Sequence, residues 1–223
     1  MLAASCPPPA ALLAESRPVA ETLVGDVDGD GRRDRVGLRV VPRERLACGV
    51  LIVARTARGT QVARVHYSPG YSLTAGDVVR NFRFPLLNGL YRLDRRPGLE
   101  IVVTAWEGAS NSFLELFAVR SGRLVRLRAG PASTPDGISW GGFALASAGI
   151  DCDRGLVRIT ASYRARGRWW VTRTFYRVGS RRLGLVRSER LRGTPRVRKR
   201  YEREVVQLRP FPSCHGAAAK RQV

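Results

Sequence analysis

The chain has 223 residues, of which 44% are apolar and 26% charged, with a formal net charge of +21. That apolar fraction, spread evenly, excludes a disordered tail and suffices for a core in one domain or in a few small repeats. Lys199 and Lys220 are the only lysines, so the charge is carried by arginine. Either an arginine-favouring coding background or a surface that attracts polyanions would produce it.

Residues 1–18 read as a leader or flexible segment. MLAASC resembles the end of a lipoprotein signal, with small residues before Cys6, although the basic and apolar stretches that should precede it are missing. Cys6, Cys48, Cys152 and Cys214 form no CxxC pair, and only His66 and His215 could assist them, which disfavours a zinc cluster. Two disulfides in an oxidising compartment are expected instead. Three connectivities are open, and Cys6–Cys48 with Cys152–Cys214 is preferred. Whether Cys6 is lipidated or disulfide-bonded, the expectation is a secreted or surface-attached protein. No stretch reaches the roughly 18–20 apolar residues of a membrane span.

From residue 19 onward, short runs rich in Val, Leu, Ile and aromatics are bounded by Gly, Pro, Asp and Ser, with no sustained helical stripe. The expected fold is all-β. Three segments read as hairpins with a glycine-containing basic turn: LIVARTARGTQVARV (51–65), LELFAVRSGRLVRL (114–127) and VTRTFYRVGSRRLGLV (171–186). Upstream of each lies an acidic loop. GDVDGDGRRDRVGLRV aligns with YRLDRRPGLEIVVTA, placing Asp28 over Asp94 and Asp34 over Glu100; AGIDCDRGLVRITAS is a third, eroded copy with Asp151 over Asp28. The units span about 19–68, 82–130 and 137–192, with a closing strand expected at 203–209 and a tail at 217–223. Four strands per unit is the make-up of a propeller blade. Three blade-like units give an open or incomplete propeller, or a sandwich or barrel of the same hairpins.

In the first unit Asp26, Asp28, Asp30 and Asp34 stand at loop positions 1, 3, 5 and 9, with Gly31 at position 6. Calcium takes 6–8 oxygens, and alternating aspartates in a tight loop point several carboxylates inward. Arg32 at position 7 would add its backbone carbonyl. Position 12 is Gly37 where an EF-hand needs glutamate, and the flanks are strand-like, so a helix–loop–helix site is disfavoured. DxDxDGxxD between strands resembles the FG-GAP or VCBS-type repeat of integrin-α-like propellers. That resemblance implies one structural calcium on Asp26, Asp28, Asp30, Arg32 and Asp34, in an extracellular binding or scaffold module without catalytic chemistry. The pattern fails in the second unit, where LDRRPGLE keeps only Asp94 and Glu100 beside arginines, and in the third, where Asp151 and Asp153 flank Cys152. Ion pairs are expected in the second unit, and the third has too few ligands for a metal.

Residues 154–203 hold 17 Arg or Lys against two acids, Glu189 and Glu202, interleaved with Trp169, Trp170, Phe175, Tyr176 and Tyr201. Arg164, Arg166, Arg168, Arg173, Arg177, Arg181, Arg182, Arg198, Lys199 and Arg200 are the candidates for holding an acidic cell-wall polymer or glycan; nucleic acid is the less favoured partner of an exported protein. The plainer reading is a solvated strand face. Trp106 and Trp140 are candidates for stacking on sugar rings. No GxSxG elbow is present. The expected function is non-catalytic binding or scaffolding. Polyanion binding, or service as an accessory domain of a hydrolytic enzyme, is the alternative.

Overall fold

The computed structural model describes residues 6–19, 22–66, 74–76, 86–107, 111–129, 138–141, 146–205 and 210–218. The chain is all-β, and most of its strands form three antiparallel meanders, here called units. The first is β2 (Leu23–Gly25), β3 (Asp34–Val40), β4 (Val50–Thr56) and β5 (Gly59–Arg64), with β1 (Arg17–Pro18) also on β3. A short helix α1 (Leu46–Gly49) links β3 to β4. The second is β6 (Leu86–Tyr91), β7 (Glu100–Glu107), β8 (Asn111–Arg120) and β9 (Arg123–Ala129). The third is β11 (Ala146–Asp153), β12 (Leu156–Ala165), β13 (Arg168–Val178) and β14 (Arg182–Arg192).

Side-chain alternation explains how the units pack. Along β3, Val36, Leu38 and Val40 turn inward while Arg35 and Arg39 turn away, the period of two that a half-buried strand requires. The second unit lacks such alternation because both of its faces are covered. Ile101, Val103, Phe117 and Val119 meet Leu38, Val50 and Ile52 of the first unit in one core. Val102, Leu114, Leu116 and Ala118 meet Ile150, Val157, Val178 and Leu183 of the third in another. The middle unit is thus a buried layer between the other two, which is why LELFAV and EIVVTA read as near-continuous apolar runs.

The second and third units also share hydrogen bonds. β9 pairs in parallel with β14 through Arg128–Arg182 and Ala129–Leu183. The strand β10 (Ile138–Gly141) pairs with β8 and, at Gly141–Ala148, with β11. Seven strands are therefore linked in a barrel-like hydrogen-bonded circuit. Three hairpins turn on a residue followed by glycine, both at positive φ: Ser121–Gly122, Arg154–Gly155 and Arg166–Gly167. These are the angles that a two-residue turn needs to follow the strands' twist.

Two expectations about the ends change. Residues 6–18, read as a leader, belong to the fold: Leu12 is buried against Val41 and Leu51, and Arg39 donates to the Ser16 hydroxyl at 2.7 Å. The disulfide Cys6–Cys48 fastens this segment, and that sulfur cannot also carry a lipid thioether. The closing strand at 203–209 begins instead inside a helix, α2 (Pro195–Val205), and residues 206–209 lie outside the described residues. Three residues apart on one face of α2, Tyr201 and Glu204 turn to the third unit, with Tyr201 against Arg173 and Glu204 reaching Thr160 and Arg173. The second disulfide, Cys152–Cys214, brings the C-terminal strand β15 (Gly216–Ala218) to the edge of β6.

Candidate metal centre

Strands β2 and β3 hold the ends of the loop 26–33, and its own carboxylates fold it. Asp26 accepts the amides of Gly29 (2.7 Å) and Gly31 (3.0 Å). Asp28 accepts that of Asp30 at 3.2 Å, and Asp30 that of Arg32 at 2.8 Å. Asp34, the first residue of β3, accepts Val27 at 2.8 Å and Asp28 at 3.3 Å through Oδ2. Gly29 and Gly31 have φ of +79° and +83°, values that only glycine reaches cheaply.

The result gathers Asp26, Asp28 and Asp34, with one carboxylate oxygen from each lying within 4.8 Å of the others. Asp30 stands apart from this group, its Oδ1 turned to the Arg32 amide, and Arg32 itself is exposed. Two oxygens in the cluster are buried without a hydrogen-bond partner, Asp34 Oδ1 and Asp28 Oδ2. Asp34 is 2% exposed. The nearest guanidinium to Asp28 Oδ2 is that of Arg58 at 3.8 Å, on a largely exposed side chain. Burial pushes the Asp34 carboxyl above its usual range; the Val27 amide opposes this, and Asp28 and Asp30 add to it. Unpaired buried carboxylate oxygens are costly, and a hard divalent cation is the partner that such a donor set fits.

The second unit supplies an internal comparison. Glu100 opens β7 as Asp34 opens β3, and it accepts the amide seven residues earlier, Leu93, at 2.9 Å. Asp94 stands where Asp28 does. Here a cation is built in: Arg120 contacts Glu100 Oε1 at 2.6 Å and Asp94 Oδ2 at 3.0 Å. The guanidinium comes from the end of β8, not from Arg95 or Arg96 inside the loop, and local sequence gave no sign of it. The ladder register shows the offset: Phe117 pairs with Ile101, so Ala118 faces Glu100 and Arg120 lies two residues on, whereas Arg55 pairs with Arg35, so Thr56 faces Asp34. Arg58 therefore stands at Arg120's offset in the first unit, its guanidinium 3.8 Å from Asp28 Oδ2 and, among the described residues, in no ion pair with Asp34. In the third unit a two-residue turn leaves no loop, and Asp151 and Asp153 lie 3.7 and 3.9 Å from Arg158.

The two acidic loops touch. Leu99 donates its amide to the Asp26 carbonyl at 2.9 Å. A Cβ on Gly98, at φ +93°, would stand 2.8 Å from the Val27 carbonyl oxygen.

The ten basic candidates of the third unit do not form one patch. Arg164, Arg166 and Arg168 sit around the β12–β13 turn. Arg177, Arg181 and Arg182 sit at the other end of β13, about 30 Å away at 3.3 Å per residue. Lys199 and Arg200 are exposed on α2; the side chain of Arg198 lies outside the described residues, as do those of Trp106 and Trp140. Arg173 is already committed, half-buried between Phe175 and Tyr201 and held by Glu204 at 3.2 Å and Glu189 at 3.6 Å. On β14, Arg187 stacks on Phe175 at 4.0 Å and Arg190 on Trp170 at 4.1 Å.

Fold and cysteines together define an all-β protein with two disulfides, the chemistry of an oxidising compartment, and no described helix is long and apolar enough to cross a membrane. No family model, curated protein or solved structure matches the chain.

Proposed function

We propose that the protein is an exported, non-catalytic binding or scaffold module whose first acidic loop holds one structural calcium. The three meanders act as blade-like units of an incomplete propeller, and the cation stiffens the turn at one edge. The observation that carries this reading is Asp34 Oδ1, buried without a partner beside Asp26 and Asp28, where the equivalent carboxylates of the second unit clasp Arg120. Asp26, Asp28 and Asp34 supply the carboxylates. Asp30 and the Arg32 carbonyl complete the set implied by the FG-GAP resemblance. Calcium should raise the melting temperature of the wild-type chain and a chelator should reverse it. Asp34→Asn, which keeps the shape but removes the charge, should fold and lose that response. A calcium-independent melt of the wild type would refute the reading.

A second reading concerns the ligand. The arginines stacked on Phe175 and Trp170 present flat cationic surfaces beside aromatics, an arrangement suited to an acidic polymer. Binding of such a polymer should weaken with added salt.

A further inference from the structure

Four arginines on three segments converge where the second and third units meet. Arg95 and Arg96 come from the second acidic loop, Arg154 from the β11–β12 turn, and Arg177 from the end of β13; they line a pocket of about 320 Å3 floored by Leu156 and Val178. Arg95 lies across the turn, so that a Cβ on Gly155 would stand 3.6 Å from its Nε. All four side chains are exposed, and among the described residues none has a carboxylate within ion-pair distance. The one acid in the wall, Asp94, is already used: Oδ2 by Arg120 and Oδ1 by the Arg96 amide at 2.7 Å. Like charges held together without counter-charges repel, and the fold tolerates this arrangement around a concave space of ligand size.

From this the geometry points to a binding site for a tetrahedral oxyanion, phosphate or sulfate, free or carried on a chain. Guanidinium groups suit it because each offers two parallel N–H donors to two oxygens of such a group. The pocket also has a neighbour. A second, of about 330 Å3, shares Arg154 and Leu156, but its wall carries Asp153, and its other arginines, Arg173 and Arg187, are already paired with Glu204 and Glu189. A chain bearing repeated phosphates would therefore seat one group in the first pocket, among Arg95, Arg96, Arg154 and Arg177. In this respect the site deepens the acidic-polymer reading and borrows its partner class, whereas capture of a single free anion does not depend on it.

The test is calorimetric titration of the full chain, in phosphate-free chloride buffer, with inorganic phosphate, sulfate and linear polyphosphate. Phosphate or sulfate should bind saturably, and polyphosphate should bind through a group seated in the same pocket. Arg154→Gly combined with Arg177→Gln should weaken binding of the single anion at least about tenfold, the scale of lost charge-assisted hydrogen bonds. Arg154 has φ +51°, an angle that glycine accepts, so the turn survives the change. Arg166→Gly is the matched control: it removes one arginine at φ +50° from the far hairpin turn and should alter affinity by less than about twofold. Absence of saturable binding by both single anions overturns the site, as does an equal loss in Arg166→Gly. Polyphosphate binding that survives the double variant also overturns it, while leaving the acidic-polymer reading intact. Binding of the single anion without polyphosphate upholds the pocket and removes the polymer.

Discussion

Asp34 and Glu100 each accept the amide of the residue seven positions earlier, yet the chain supplies a cation only to Glu100. Glu100 is fully buried, and burial raises its carboxyl above the usual 4.5 even though the Leu93 amide and Arg120 work against that. A raised pKa in the folded state means that the group's stabilisation is complete below its unfolded pKa and is lost as pH rises through the folded one. The stability of the wild type relative to Glu100→Gln, which cannot titrate, should therefore fall as pH is raised from about 4 to about 7. Urea midpoints of the two proteins across that range provide the measurement. A difference that widened in favour of the wild type with pH would show that the Arg120 contact outweighs burial.

At the level of elements, the two acidic loops differ in one respect: the second meets its buried carboxylates with Arg120, and for the first the proposal is calcium. The shared placement of Asp34 and Glu100, each opening a strand six residues after an aspartate, was legible from the spacing of acids between strand-like runs. The three hairpins were legible as well, from glycines between apolar runs. The guanidinium that pairs with Asp94 and Glu100 was not, since Arg120 lies 20 residues or more away and only the folded register brings it in. Nor was the helix α2 legible, whose charged residues hide the turn-and-face pattern that Tyr201 and Glu204 reveal against β12 and β13. Thr56, which faces Asp34 across the ladder of β3 and β4, offers a direct test. Thr56→Arg should place a guanidinium beside Asp28 and Asp34, raise the melting temperature without calcium and abolish the calcium response. If the variant still responds to calcium like the wild type, a guanidinium at this position does not replace the cation.

On the scale of the whole molecule, the buried middle unit makes the ends of the chain matter. The C-terminal segment crosses that unit's edge: Phe211 is buried against Tyr91, its amide meets the Ile150 carbonyl at 2.9 Å, and Asp151 takes the Ser213 amide at 2.8 Å. Cys152–Cys214 locks this segment to the core shared by the second and third units. Cys6–Cys48 locks a smaller piece, in which Leu12 is the one described side chain that joins a buried cluster. By loop-closure entropy the two bonds are nearly equal, roughly 4 kcal/mol each for separations of 42 and 62 residues. What they hold is not equal, and that difference should govern the outcome. Without Cys6–Cys48, residues 6–18 can detach locally while the three layers stay closed, so the cost is capped by the few contacts of that segment. Without Cys152–Cys214, Phe211 and β15 leave the edge of the middle layer and expose part of the second core. Cys6→Ser should therefore lower the melting temperature less than Cys214→Ser, with faster hydrogen exchange confined to β1 and its partners Arg39 and Val40 on β3. Equal losses of melting temperature, with exchange quickened throughout β7 and β8 in both variants, would show that the segment 6–18 is as integral to the fold as the C-terminal one.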